Sequence, residues 1–501
     1  MKASQRIVKN AAWGFLAGVV GGGLQFLSVI VVARTLPVSS FGTYNYLLAF
    51  AILFQFLADF GLVNILVREM ARRPGELDRL LGSAKGLMWV LFFLFLILLS
   101  VAALVQNVPG QVKALSFVMG VASLTLLQGV SYAAVLRAHE DMEFNSIGFT
   151  LHKAALLGFI ILTLKLGLGL WGLVFAHLAA NLLLWFYYAQ VVGRRFGLWV
   201  SLQRDVQLWK TLIGEAVPLG SGLLLRQIGW QLDSLLLYWL ADAYSAGLFG
   251  GPYRILLAVR LMSMILVLPL YPGLVRLAKD SLPQFWVAYD RALKWLVCLS
   301  LPGSIVFLFT PEAVVRTILG AKFIASTGAL QWFGLAFVPL FVSALFPYVF
   351  TALGRQRFFF LIISIALIVR IALEAWLIPK YGYMSACVIA SWCEILPFAA
   401  FVVVLSGRRL LSSLPDTFIR PICAGLAMGG LLIACRNIVY SQQQLVLKIL
   451  VYSAAVGVYV SILLLIKTFS KTELGLAKEA LSFVGPYLRS FRQKPETPSG
   501  S

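Results

Sequence analysis

Charge is what this 501-residue chain has least of. Asp, Glu, Lys and Arg make up 12% of it, about half the share of an ordinary soluble domain, which excludes a solvated surface over most of the molecule. Acids are scarcer than bases, 20 against 41. Three histidines occur without an H-E-x-x-H spacing, and five cysteines (Cys298, Cys387, Cys393, Cys423, Cys435) without a C-x-x-C pair. Those absences argue against a zinc site and against a disulfide frame. No G-x-x-x-x-G-K-[ST] is present, so the chain carries no P-loop for ATP. Neither a repeated pore loop nor a ring of charges marks an ion channel.

Apolar sequence fills the space that charge leaves. Residues of hydrophobic type account for 60%, and the mean hydropathy is +0.91. Fourteen long apolar stretches follow one another, from 11–33 to 446–467, each near the roughly 20 residues that a bilayer-spanning helix needs. The chain therefore reads as an all-α polytopic membrane protein. Lys2, Arg6 and Lys9 ahead of the first stretch imitate a signal peptide, but that stretch is too long and is followed by more spans, so it is read as a retained helix. Connectors that alternate along the chain carry 28 and 8 of the Lys and Arg residues. The positive-inside rule then places both termini in the cytoplasm. The net charge of +21 is assigned to loops facing anionic lipid, with no nucleic-acid partner.

The sequence also repeats. Gly42-Thr-Tyr44 is echoed by Gly247-Leu-Phe249, Leu66-Val-Arg68 by Leu274-Val-Arg276, and Val135–Phe144 aligns without gaps on Val349–Phe358. Offsets of 205 to 214 in constant order predict two parallel six-helix lobes related by an axis along the membrane normal. The expected organisation is a lobe at 1–200, a second lobe with an interfacial linker at 201–406, two further helices at 407–470, and a cytoplasmic tail at 471–501. The linker 193–212 fits an interfacial helix or a plain loop equally well. Apolar residues three or four apart from Leu474 to Phe491 predict an amphipathic helix on the membrane surface.

Charges inside spans are expensive in hydrocarbon and are the functional candidates. Arg226 and Asp233 lie seven residues apart on one face of the seventh span, and Arg254 and Arg260 are on the eighth. Lys153 is on the fifth and Asp59 on the second. Together they predict a positive chamber suited to a diphosphate, because guanidinium groups grip phosphate oxygens in pairs. The plainer reading makes Arg226–Asp233 a local ion pair and lets Arg254 and Lys153 snorkel to headgroups. Arg370 and Glu374, four apart, read as a structural pair. Glu394 has no local partner; a coupling site for a proton and a hydrogen-bonded or protonated core residue are both open to it, and Asp233 is the second ion-coupling candidate. His177 and Asn181, one turn apart, read as interhelical hydrogen-bonding groups.

Ala33-Arg-Thr-Leu-Pro-Val-Ser-Ser-Phe-Gly-Thr-Tyr44, Ala58-Asp-Phe-Gly-Leu62 and Val67-Arg-Glu-Met-Ala71 resemble the polysaccharide-biosynthesis flippases. These are the O-antigen and exopolysaccharide members of the multidrug/oligosaccharidyl-lipid/polysaccharide exporter superfamily. Gln231-Leu-Asp233, Ala246-Gly-Leu-Phe249 and Leu377-Ile-Pro-Lys-Tyr-Gly382 agree, so the resemblance spans about residues 5–405. It implies fourteen helices and a central cavity lined by helices 1, 2, 7 and 8. It further implies transport of undecaprenyl-diphosphate-linked oligosaccharide by alternating access, without catalysis or cofactor. An ion gradient (Na+ or H+) or the membrane potential would drive it, and a polysaccharide polymerase or export machinery would be the partner. The alternatives are a drug/cation antiporter of the same superfamily, a lipid-II flippase, and a membrane glycan polymerase or ligase. The first helix has glycines but no internal cation, which weighs against lipid II; no large outer loop supports an enzyme.

Overall fold

The computed structural model describes residues 3–199, 202–407, 414–440 and 445–470, together with Glu473 and Gly475. Among these residues the elements are helices joined by short connectors, with no strand. The first six long helices are α1 (Ala3–Thr35), α2 (Val38–Asp59), α4 (Leu77–Val105), α5 (Gly110–Ala138), α6 (Met142–Lys165) and α7 (Gly169–Phe196), with the short α3 (Leu62–Arg72) after α2. The second six are α8 (Val206–Leu240), α9 (Ala243–Val267), α11 (Leu282–Phe309), α13 (Thr327–Ser343), α15 (Gln356–Tyr381) and α16 (Tyr383–Ser406). The short helices α10 (Tyr271–Asp280), α12 (Pro311–Ile318) and α14 (Phe346–Ala352) fall between them. Helices α17 (Arg420–Ala434), α18 (Arg436–Tyr440) and α19 (Leu445–Leu465) end the described chain.

Twelve helical segments among the described residues are long and apolar enough to cross a membrane. Helices α8 and α9, at 35 and 25 residues, are also longer than a bilayer core at 1.5 Å per residue. With them the described chain has the fourteen long helices that the apolar runs predict. Exposed Leu, Ile, Val and Phe residues along α4, such as Phe93, Ile97 and Leu104, form the face that lipid tails cover.

Packing repeats as the sequence does. In the first half α5 rests on α7, α2 and α4, while α6 rests on α7 and α1. In the second half α13 rests on α16, α9 and α11, while α15 rests on α16 and α8. Exchanging each helix for its counterpart turns one set of contacts into the other. The hairpin α5–α6 matches α14–α15 down to single hydrogen bonds. Glu140 N–H donates to the Arg137 carbonyl and Asp141 N–H to that of Leu136, as Gly354 does to Thr351 and Arg355 to Phe350. The turn residue is left-handed both times, φ 59° at Glu140 and 67° at Gly354. Helices α17 and α19 pack on each other, and α17 on α11, so the final pair is attached to the second half.

The halves meet through α2, which packs against α8 and α9. At the cation-poor end, where α1 turns into α2, the contact is reciprocal. A Cβ on Gly42 would stand 1.8 Å from the Ala243 carbonyl oxygen, and one on Gly247 would stand 2.1 Å from that of Val38. Only glycine permits backbones this close. Arg34 donates to the carbonyls of Thr317 and Ile318, and Lys322 to those of Arg34 and Leu36, which ties the end of α1 to α12 and its following turn. At the cation-rich end Arg68 pairs with Glu215 of α8, and Arg79 with Asp205 at 2.7 Å.

Of the linker, residues 202–205 are outside any helix, and α8 begins at Val206. The segment docks on α4: Gln203 N–H donates to the Gly82 carbonyl, and Trp209 Nε1 to that of Ser83 at 2.9 Å. The amphipathic tail expected beyond Lys471 lies outside the described residues, apart from Glu473 and Gly475.

Candidate functional site: a charged cavity in the second half

Six helices of the second half leave a gap among them. A cavity of about 500 Å³ is lined by residues of α8, α9, α13, α14, α15 and α16. Its wall is mainly apolar, with Phe346, Phe359, Phe398 and Phe401 prominent, and its charged groups are Arg260, Arg370 and Glu394. The guanidinium carbon of Arg260 lies 4.4 Å from the Trp230 ring centre. That stacking fixes a long flexible side chain from one face and leaves its N–H edge for a ligand.

Behind the wall sits a three-membered charge cluster. Arg370 Nε donates to Glu374 Oε1 at 3.0 Å, and another guanidinium nitrogen donates to Asp233 Oδ2 on α8. The side chains of Asp233 and Glu374 are wholly buried, and that of Arg370 is 8% exposed. The i,i+4 pair on α15 is the one that spacing predicts. Its union with Asp233, 137 residues away, is not.

The six-residue chamber expected from the sequence is not assembled in one place. Arg260 lines the cavity. Asp233 is wholly buried and bonds Arg370 of α15. The Arg226 side chain lies outside the described residues, although its backbone is part of α8. Arg254 neither snorkels nor lines the cavity: its Nε donates to Asn45 Oδ1 of α2 at 2.8 Å, across the interface between halves. Lys153 Nζ donates to Gln25 Oε1 of α1 at 2.8 Å and is not among the cavity-lining residues. Asp59 ends α2 where Phe60 and Gly61 turn left-handed, and its Oδ1 accepts the Val63 N–H at 3.1 Å, so it caps α3. Glu394 does border the cavity, beside Arg260 and Arg370. Of the four helices that the resemblance implies, the seventh and eighth (α8 and α9) line this cavity and the first and second do not.

His177 and Asn181 bond across helices as their spacing suggests. His177 Nε2 meets Tyr44 Oη at 2.8 Å, and Asn181 meets His152 Nε2 at 2.8 Å. Two further buried cations are Lys85 and Lys294. Lys85 Nζ donates to the Gln128 carbonyl at 2.7 Å and stands 3.6 Å from the Tyr132 ring centre. Lys294 pairs with Glu473 at 2.6 Å and holds the start of the tail against α11. An aromatic residue at Tyr132 and a polar one at Gln128, both on α5, were the only signals for Lys85.

Two six-helix halves with matching internal contacts, a shared interface and a charged intramembrane cavity define the transporter fold of the MOP superfamily. The likeness to solved structures agrees. The lipid II flippase MurJ in an inward closed conformation superposes with a TM-score of 0.73 at 13% identity, covering 92% of this chain and 99% of that one. An inward-facing multidrug transporter of the MATE family, in the MOP superfamily, gives 0.62 at 14% identity, covering 77% and 94%. The chain belongs to the polysaccharide biosynthesis protein family, whose sequence profile matches residues 7–278. A lipopolysaccharide biosynthesis protein, WzxC of Escherichia coli (strain K12), is 21% identical over 342 residues, which are 66% of this chain and 67% of that protein.

Proposed function

We propose that the chain is a flippase that moves undecaprenyl-diphosphate-linked oligosaccharide repeat units across the cytoplasmic membrane for O-antigen, exopolysaccharide or capsule export. The cation-rich end, with both termini, faces the cytoplasm, and an ion gradient or the membrane potential supplies the energy. The carrying observation is Arg260, held on Trp230 at the edge of an otherwise largely aromatic cavity. A fixed guanidinium in a low-dielectric wall favours a diphosphate, and the surrounding rings suit the apolar carbons next to it. Family membership and the two-lobed fold support the reading. A polysaccharide polymerase or export complex would take the product.

Binding of purified protein to undecaprenyl-diphosphate-linked sugar, against its monophosphate and sugar-free forms, tests it. Loss of a charged hydrogen bond costs about 1.5–3 kcal/mol, so Arg260→Ala should bind the diphosphate about 10- to 100-fold more weakly with unchanged thermal stability. Indifference to all three lipids, with binding of organic cations near Glu394 instead, would move the assignment to a drug antiporter.

A further inference from the structure

One cluster in the second half sets two buried carboxyls against a single buried guanidinium. Asp233 and Glu374 are at 0% side-chain exposure and share the single guanidinium of Arg370. Each carboxyl spends one oxygen on Arg370; Asp233 Oδ1 and Glu374 Oε2 have no hydrogen-bond partner. If both were ionised the cluster would carry a net charge of −1 beyond the reach of water, at a cost of several kcal/mol. The described groups facing it do not remove that surplus. Helix α9 presents Tyr253 and Arg260, and α16 presents Cys387, Cys393 and Glu394. The phenol and thiols are neutral, and Arg260 and Glu394, of opposite sign, lie together on the cavity wall.

A cation must therefore complete the site, and its size is limited. Sodium or a divalent ion needs several oxygen ligands. Here Arg370 already takes one oxygen of each carboxyl, and no group of three or more His, Cys, Asp or Glu side chains able to hold a metal occurs among the described residues. A proton needs one oxygen. Bound to either carboxyl, it supplies a donor for the unpartnered oxygen of the other.

We propose that Asp233, Arg370 and Glu374 form a one-proton binding site that exchanges with the cavity past Arg370, which itself borders the cavity. Loading transfers a proton from cavity water to a carboxylate oxygen and leaves hydroxide to the bulk buffer; the cluster becomes neutral overall. The link to lipid movement rests on the flippase reading. A diphosphate entering beside Arg260 competes with the two carboxylates for Arg370, so substrate entry raises the demand for a proton. The presence of the proton does not depend on that reading.

Infrared difference spectroscopy of the full-length protein at neutral pH, with the carboxyl C=O stretch as readout, tests the site directly. One protonated buried carboxyl is expected in the wild type, retained in Glu394→Gln and lost in Glu374→Gln, where Asp233 and Arg370 form a neutral pair. Absence of the band from the wild type, or its loss only in Glu394→Gln, would overturn the proposal. The wild-type spectrum decides even if a variant fails to fold. In proteoliposomes an imposed pH gradient should accelerate lipid flipping at least several-fold over an equal sodium gradient, and Glu374→Gln should abolish the difference. An intact band without any lipid movement would sink the flippase assignment and leave the proton site standing.

Discussion

In the first half, the buried polar side chains around α6 and α7 meet neutral partners. Lys153 is held by Gln25, His152 by Asn181, His177 by Tyr44, and Lys85 by a backbone carbonyl and an aromatic ring. In the second half, charge meets charge: one arginine serves two carboxylates, and a second arginine and a third carboxylate face a cavity. The backbones of the halves correspond, even to the hydrogen bonds of one turn. Their chemistry does not. Around α6 and α7 the polar groups bond neutral partners, whereas the cluster of α8 and α15 leaves one oxygen of each carboxyl unpartnered.

The sharpest way to break this contrast is to remove the shared cation. Arg370→Met leaves two buried carboxyls facing each other, and losing one member of a buried ion pair costs about 3–5 kcal/mol. Thermal unfolding in detergent should show that loss, partly restored by adding Asp233→Asn. The matching first-half change, Lys153→Met, gives up one hydrogen bond to a neutral amide and should cost about 1 kcal/mol. Equal losses would erase the distinction between the halves.

Glycines at the interface probe what the halves share. Gly42→Ala and Gly247→Ala each drive a methyl into a facing carbonyl, and overpacking costs about 1–3 kcal/mol. Because the contact is reciprocal, the two losses should be similar in thermal unfolding. A loss confined to one would show that the symmetry is not energetic.

A smaller effect tests the matched turns. Glu140 adopts the left-handed conformation that its counterpart Gly354 adopts freely. Glu140→Gly should therefore stabilise by about 1 kcal/mol and Gly354→Ala destabilise by a similar amount, again by thermal unfolding.

The smallest effect concerns the linker. The Leu208 N–H and then Arg79 hold the Asp205 carboxyl below the usual carboxylate range. A depressed folded value means that the cap contributes above the unfolded value and is lost as pH falls through the folded one. Hydrogen exchange at Leu208 should accelerate over that acidic window in the wild type and show no such step in Asp205→Asn.

Fourteen apolar runs and two echoed sets of motifs made the helices and their pairing legible, because periodicity and span length are local properties. Arg370–Glu374 was legible for the same reason: four residues return a helix to one face. What completes that pair, Asp233, comes from another helix, and no local spacing announces a cross-helix partner. Lys85 and Lys294 fall where a charged stretch of sequence passes into an apolar run, and there the sequence does not distinguish a solvated ammonium from a buried one. Arg254 and Lys153 lie within long helices, yet their partners are Asn45 and Gln25, uncharged residues to which a search for opposite charge is blind.

The most direct test of the contrast is lipid flipping in proteoliposomes by two charge-removing variants, Arg260→Gln in the second half and Lys153→Gln in the first, against wild type. The account predicts at least a tenfold loss for Arg260→Gln and near-wild-type flipping for Lys153→Gln. Loss in Lys153→Gln with retention in Arg260→Gln would contradict it, and would move the substrate site to the first half.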